Sequence, residues 1–351
     1  MAKTIAIIGA GMMGTSLAFP AAENGNEVRI IGNHLEDEII KSYIKEGKHE
    51  KFCRPFPLGV KYFYFKDWKE AVKDVDFVIG GVSSFGVEWF LEEILQNLDP
   101  EIPVLSVTKG LIGLEDGTLI SYPGYWESEL AKIGIFRTVN AIGGPCTAHE
   151  LVLMDPTLVA FCGKDKGQLK MMKEALRRPY YNISLTDDVI GIESAVALKN
   201  AYAIAVTLAV GLNIRERGEG EPLLYNSQAA AFIQAVREMR ALIRMQGGTP
   251  EAEAMGLGDL YVTIFSGRTR NCGILLGQGM NYDEVKEALE GQTLESLVIV
   301  RVVGKAIRRK AELGLLDLEN FPLMTHVVDI IENRAEKADL PWESFTFENF
   351  C

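Results

Sequence analysis

Short apolar runs alternate with amphipathic stretches along the first half of the chain. Residues 4–8, 27–31, 77–81, 104–107 and 139–142 have the length and content of strands buried on both faces. Between them, residues 14–24, 36–46, 68–73 and 87–97 carry apolar positions at helical spacing. This βαβ rhythm predicts a doubly wound parallel sheet. Residues 158–162, 168–177 and 181–184 add a strand, a helix and a strand. From about Asp188 the pattern changes: alanine-rich helical periodicity fills residues 189–210, 227–246, 293–313 and 321–332, and strand signals stop. The expected organisation is an α/β domain over residues 1–188 followed by an all-helical domain over 189–351. The polar, charged segment 211–222 reads as a surface loop.

Composition narrows the classes of function. The chain has 351 residues, enough for two domains at about 150 residues each. With 36 basic and 48 acidic residues its net charge is -12, which repels nucleic-acid phosphates and anionic membranes and disfavours both as partners. Cys53, Cys146, Cys162, Cys272 and Cys351 are scattered, odd in number and never spaced C-x-x-C. That indicates neither a disulfide framework nor a zinc ribbon and fits a reducing cytoplasm. Residues 4–8 are too short for a signal-peptide core, and no apolar stretch is expected to reach bilayer-spanning length. An acidic protein that binds an anion needs local cations, so single lysines and arginines carry weight.

One turn carries chemistry. Gly9-Ala10-Gly11-Met12-Met13-Gly14 is G-x-G-x-x-G placed directly after the first strand and opening a helix. In that position the glycines allow a tight turn, close backbone approach to a pyrophosphate and close helix-to-strand packing. A Rossmann-like site for NAD or NADP is the expected reading, ahead of an unliganded turn. An NAD site usually has an acid at the end of the second strand. Here that strand runs out through Ile30-Ile31-Gly32-Asn33-His34, and Glu36, Asp37 and Glu38 fall in the next helix. The expectation therefore leans slightly to NADP, with Asn33 and His34 towards the 2′-phosphate.

In the second half, Lys199 stands alone in the apolar helical run 194–203. An unpaired ammonium is costly to bury, so Lys199 must be paired, neutral or facing a polar cleft. The plain alternative is an amine reaching solvent at a helix edge. Asp259, among Gly256, Leu257, Gly258 and Leu260, needs a cation, and Lys199 is its expected partner. Arg268, Thr269, Arg270 and Asn271 gather donors suited to a phosphate ester, against the plain reading of a solvated loop.

The glycine turn through Ala18 is followed by Thr108-Lys109-Gly110, Gly144-Pro145-Cys146-Thr147-Ala148-His149-Glu150 and Ala197-Leu198-Lys199-Asn200. Then come Gly256-Leu257-Gly258-Asp259-Leu260, Thr269-Arg270-Asn271, Leu276-Gly277-Gln278-Gly279 and Glu290-Gly291. In this order, over nearly the whole chain, they resemble NAD(P)-dependent glycerol-3-phosphate dehydrogenase of the soluble bacterial type. The resemblance implies a cytoplasmic oxidoreductase of glycerol-3-phosphate metabolism and phospholipid biosynthesis. It would interconvert sn-glycerol 3-phosphate and dihydroxyacetone phosphate by hydride transfer with NAD or NADP. Lys199 would be the general acid and base at the reacting oxygen, with Lys109, Asp259 and Thr263 in the catalytic group. Lys109, Gly144, Cys146, Thr269, Arg270 and Asn271 would hold the substrate. Gly9, Gly11, Met12, Met13, Gly14, Asn33, Lys109, Ala148, Arg270 and Glu290 would hold the cofactor, and no metal is implied.

The chain departs from the family pattern at Cys146-Thr147, usually serine or threonine then phenylalanine; at Val82, usually proline; and at Cys272, usually basic. Tyr122-Pro123-Gly124-Tyr125-Trp126 reads as an insert. These differences bear on substrate choice, with another polyol phosphate or a small hydroxy acid as the alternative. A non-catalytic dinucleotide sensor is the alternative of another class. Alanine-rich faces in the helical half point to a homodimer.

Overall fold

A computed structural model of the protein describes residues 2–291, 294–334 and 338–348. Two compact units emerge: Met1–Lys109 with Ser121–Glu193, and Gly110–Ile120 with Ser194–Cys351. The division falls after Glu193 instead of at Asp188, and a short segment of the first half belongs with the second unit.

The strands are β1 (Thr4–Ile8), β2 (Glu27–Ile31), β3 (Val60–Phe63), β4 (Phe77–Gly80), β5 (Val104–Ser106), β6 (Leu111–Gly113), β7 (Leu119–Ser121), β8 (Val139–Gly143), β9 (Thr157–Cys162) and β10 (Tyr181–Thr186). Eight form one sheet in the order β10-β9-β8-β5-β4-β1-β2-β3, while β6 and β7 pair separately. Every described pairing in the large sheet is parallel except β8 with β9. Helices cover a parallel sheet on both faces, so its strands are apolar throughout; Ile5, Ile7 and Ile8 of β1 are fully buried. β3 escaped the sequence reading because it is the sheet edge, half-exposed and interrupted by Lys61.

Other differences also have local causes. The helix expected over 14–24 is two pieces, Met12–Ser16 and Ala18–Glu23, meeting at Leu17. Pro20 has no N–H to bond the Ser16 carbonyl, so the ladder breaks one turn before it. The 122–126 stretch opens the helix Tyr122–Lys132, capped by Ser121, whose hydroxyl accepts the Gly124 N–H. Trp126 is fully buried there, and its indole N–H donates to the Val87 carbonyl at 3.1 Å.

The second unit is helical apart from β6 and most of β7. Its helices are Val189–Arg217, whose first turn lies in the first unit, Tyr225–Met245, Pro250–Phe265, Arg268–Gln278, Tyr282–Ala288, Glu295–Glu312 and Pro322–Ile331. The Gly117 turn between β6 and β7 lies on Glu295–Glu312, so close that a Cβ there would stand 2.8 Å from the Ala306 carbonyl oxygen. Two expectations are corrected here. Residues 211–217 are helix and not loop: Gly211 serves a close crossing, where a Cβ would fall 2.1 Å from the Ile274 oxygen. Moreover, Val189–Arg217 is long and apolar enough to cross a membrane, contrary to the sequence reading, but 89% of its most apolar window is buried within the protein. It is a core helix. Thr293, expected at a helix start, and Cys351 lie outside the described residues.

Candidate functional site

In the first unit the glycine turn follows β1 directly. Gly9 has φ +107°, its N–H donates to the Ile31 carbonyl at 2.8 Å, and a Cβ on it would stand 2.7 Å from the Gly81 oxygen. A Cβ on Gly14 would come within 3.1 Å of the Gly81 Cα. Both glycines are therefore demanded by the contact between β1, the following helix and the end of β4. Gly11 is different. Its φ is an ordinary -72°, and a Cβ there would meet nothing nearer than 3.8 Å. The protein's own packing does not require glycine at 11, whereas close approach of a pyrophosphate does. The residues present fit a dinucleotide on that observation.

The end of β2 supplies a group that the sequence reading passed over. Glu36, assigned there to the next helix, turns its Oε2 back to accept the N–H groups of Ala10 at 2.8 Å and Asn33 at 2.9 Å. The Tyr43 hydroxyl donates to the Ala10 carbonyl at 2.7 Å, so this residue is held through both its N–H and its carbonyl. The Asn33 side-chain oxygen is used by the Leu35 N–H at 2.8 Å, and the His34 ring faces Trp89. The only signal for Glu36 was its spacing from the turn, 22 positions beyond Gly14.

Lys109 and Gly144 follow the neighbouring parallel strands β5 and β8, and the structure brings them together: the Lys109 amine donates to the Gly144 carbonyl at 3.3 Å. Cys146 is half-buried at the margin of the apolar core, as is Ala148, the first residue of the short helix Ala148–Val152. The Thr147 hydroxyl caps that helix by accepting the Glu150 N–H. Glu193, also missed, is 1% exposed, and its Oε2 has no hydrogen-bond partner among the described residues. Burial pushes its carboxyl up to about 8, with the Lys109 charge pulling it down. Its signal was the one used for Lys199: an ionisable group in an apolar helical run.

In the second unit, Lys199 is 9% exposed and Asp259 2%. The Lys199 amine lies 3.1 Å from Asp259 Oδ1 and donates to Thr263 Oγ1 at 2.7 Å. The Thr263 hydroxyl gives its own proton to the Asp259 carbonyl at 2.7 Å, so towards Lys199 it can only accept. Asp259 and Thr263 are four residues apart on Pro250–Phe265 and so share a helix face. That helix crosses Val189–Arg217 at Gly256, where a Cβ would stand 2.8 Å from the Ala195 Cβ. One turn further along each helix, Lys199 meets Asp259.

Arg268, Thr269, Arg270 and Asn271 form the first turn of the helix Arg268–Gln278, a correction to the loop reading. Arg270 is half-buried and donates to the Ile264 carbonyl, next to Thr263, at 2.6 Å. Cys272 is fully buried, and burial pushes its thiol up to about 12. Glu290 is exposed beyond the end of Tyr282–Ala288.

Two models of one family match the chain: NAD-dependent glycerol-3-phosphate dehydrogenase N-terminus over residues 4–168, and its C-terminus over 188–341. An NADP(+)-dependent glycerol-3-phosphate dehydrogenase of Archaeoglobus fulgidus is 32% identical over 312 residues, covering 88% of this chain and 90% of its own. A glycerol-3-phosphate dehydrogenase [NAD(P)+] of Streptococcus sanguinis is 30% identical over 98% of this chain and 99% of its own. Among solved structures, glycerol-3-phosphate dehydrogenase of Coxiella burnetii superposes with a TM-score of 0.78 at 25% identity, over 98% of both chains.

Proposed function

This chain belongs to the NAD-dependent glycerol-3-phosphate dehydrogenase family, and from that premise we propose that it interconverts sn-glycerol 3-phosphate and dihydroxyacetone phosphate. The nicotinamide of NAD or NADP supplies or takes the hydride at carbon 2 when bound. The first unit would hold the dinucleotide through the turn at Gly9, Gly11, Met12, Met13 and Gly14, with Asn33, Lys109 and Ala148. Arg270 and Glu290 would complete that set. Thr269, Arg270 and Asn271 would take the phosphate of the substrate, a planar guanidinium with neighbouring amide and hydroxyl donors being suited to it. Lys109, Gly144 and Cys146 would line its carbon end. Four described thiols, Cys53, Cys146, Cys162 and Cys272, are free, which supports a reducing, cytoplasmic setting.

One observation carries the chemistry: the amine of Lys199 is nearly buried and fixed between Asp259 and Thr263. As hydride reaches carbon 2 the carbonyl oxygen gains an electron pair, and Lys199 gives it a proton; in the reverse direction the amine takes the proton back. Asp259 keeps the ammonium charge compensated while the proton is away from water.

Initial rates of dihydroxyacetone phosphate reduction with NADH and NADPH test the reading. Lys199→Ala is expected to lose about 10²–10⁴-fold in kcat with dinucleotide binding retained. A variant as active as the parent would remove Lys199 from the mechanism.

A further inference from the structure

The carboxylate of Glu36 lies against the glycine turn and just past the end of the second strand. In a doubly wound sheet the acid that accepts the ribose hydroxyls lies at the end of the second strand, about 20 residues beyond the glycine turn. Glu36 lies 22 positions beyond Gly14, and its Oε2 is bonded to the N–H of Asn33, two residues past the end of β2, and to that of Ala10, between the first two glycines. The second oxygen, Oε1, accepts no hydrogen bond among the described residues, and the side chain is only half-buried.

Among the described residues no lysine or arginine side chain pairs with Glu36. Residues 32–40 contain neither lysine nor arginine, and Lys41 pairs with Glu38. At the end of the neighbouring strand β3, Lys66 lies over the Tyr64 ring, 5.7 Å from its centroid. The backbone donors that a phosphate might use, the N–H groups of Ala10 and Asn33, are both taken by Glu36 itself.

We propose that Glu36 makes this site select NAD(H) over NADP(H), reversing the slight leaning to NADP that the sequence alone gave. The proposal rests on the dinucleotide reading of the preceding subsection. Two ribose hydroxyls can donate to Oε1 at no electrostatic cost. A 2′-phosphate would bring like charge against a carboxylate that two N–H bonds hold in place and that no lysine or arginine pairs with among the described residues.

The test is a titration of the whole protein with NADH and with NADPH, followed by nicotinamide fluorescence, with no substrate present. NADH is expected to bind at least about tenfold more tightly, since like-charge juxtaposition is worth more than the 1.4 kcal/mol that a factor of ten represents. Glu36→Gln, which keeps the shape and removes the charge, is expected to bring the two affinities together. Asn33→Arg, which leaves Glu36 and its bonds in place, is expected to strengthen NADPH binding selectively. Equal affinities in the parent, or an unchanged ratio in a Glu36→Gln protein whose melting is normal, would overturn the proposal. Equal kcat/KM for the two cofactors in dihydroxyacetone phosphate reduction would overturn it too while leaving the activity standing. Binding of neither dinucleotide would overturn the dinucleotide reading and this proposal with it.

Discussion

Three glycines in one hexapeptide separate by what each is for. Gly9→Ala forces a β-carbon onto the Gly81 oxygen in a left-handed backbone, so a large loss of stability is expected in urea unfolding. Gly11→Ala is expected to unfold within about 0.5 kcal/mol of the parent, yet to bind dinucleotide much more weakly. Equal loss of stability in both variants would mean that Gly11 is structural after all. Glu193 makes a second residue-scale prediction. Its carboxyl sits near 8 in the folded chain against 4.5 when unburied. The folded state thus holds the extra proton between those values, and stability falls as pH rises from about 5 to about 8. Glu238, which burial pushes to about 7, acts in the same direction. Glu193→Gln is expected to shallow that slope and raise the urea midpoint at pH 8; an unchanged profile would contradict the assignment. Lys199 was legible in the sequence because a lone cation in an apolar helix demands a reason. Glu193 satisfied the same criterion six positions earlier. Glu36 did not, because no periodicity says that a side chain turns back to the loop after a neighbouring strand.

Among elements, the buried parallel strands were the readable part, since burial on both faces writes itself as an unbroken apolar run. The β6 and β7 strands have three residues each, too few for any period to show. The helix Pro250–Phe265 was hidden for another reason: Gly256 and Gly258 look like a loop in sequence, although Gly256 is the point of closest approach to Ala195. The same device recurs where Arg268–Gln278 crosses Val189–Arg217. A Cβ on Gly273 would stand 2.0 Å from Thr207 Oγ1, and one on Gly277 2.3 Å from the Leu208 oxygen. Gly277→Ala should therefore separate the two helices and cost about 1–3 kcal/mol or more, even though alanine is the better helix former. A gain in thermal stability would show that the crossing accommodates a β-carbon.

At the scale of the whole molecule the chain order and the folding units do not coincide. Gly110–Ile120 is embedded in the first unit's sequence but packs with the second. Leu111 and Leu119 are 3% and 5% exposed. A fragment of residues 1–193 would carry them without the helix Glu295–Glu312 that the turn lies on. It is expected to bind a hydrophobic dye more strongly than the same fragment with 110–120 replaced by a glycine-serine linker of equal length. Equal dye binding would mean that the hairpin is stable without its helical partner.

The long apolar helix has a last consequence, during synthesis. Val189–Arg217 leaves the ribosome before the helices that cross it at Gly256, Gly273 and Gly277 have been made. At about 5–20 residues per second, the wait for the last of these crossings is roughly 3–12 s. Through that interval the nascent chain shows a greasy rod, long enough to be mistaken for a membrane anchor, to every chaperone and targeting factor nearby.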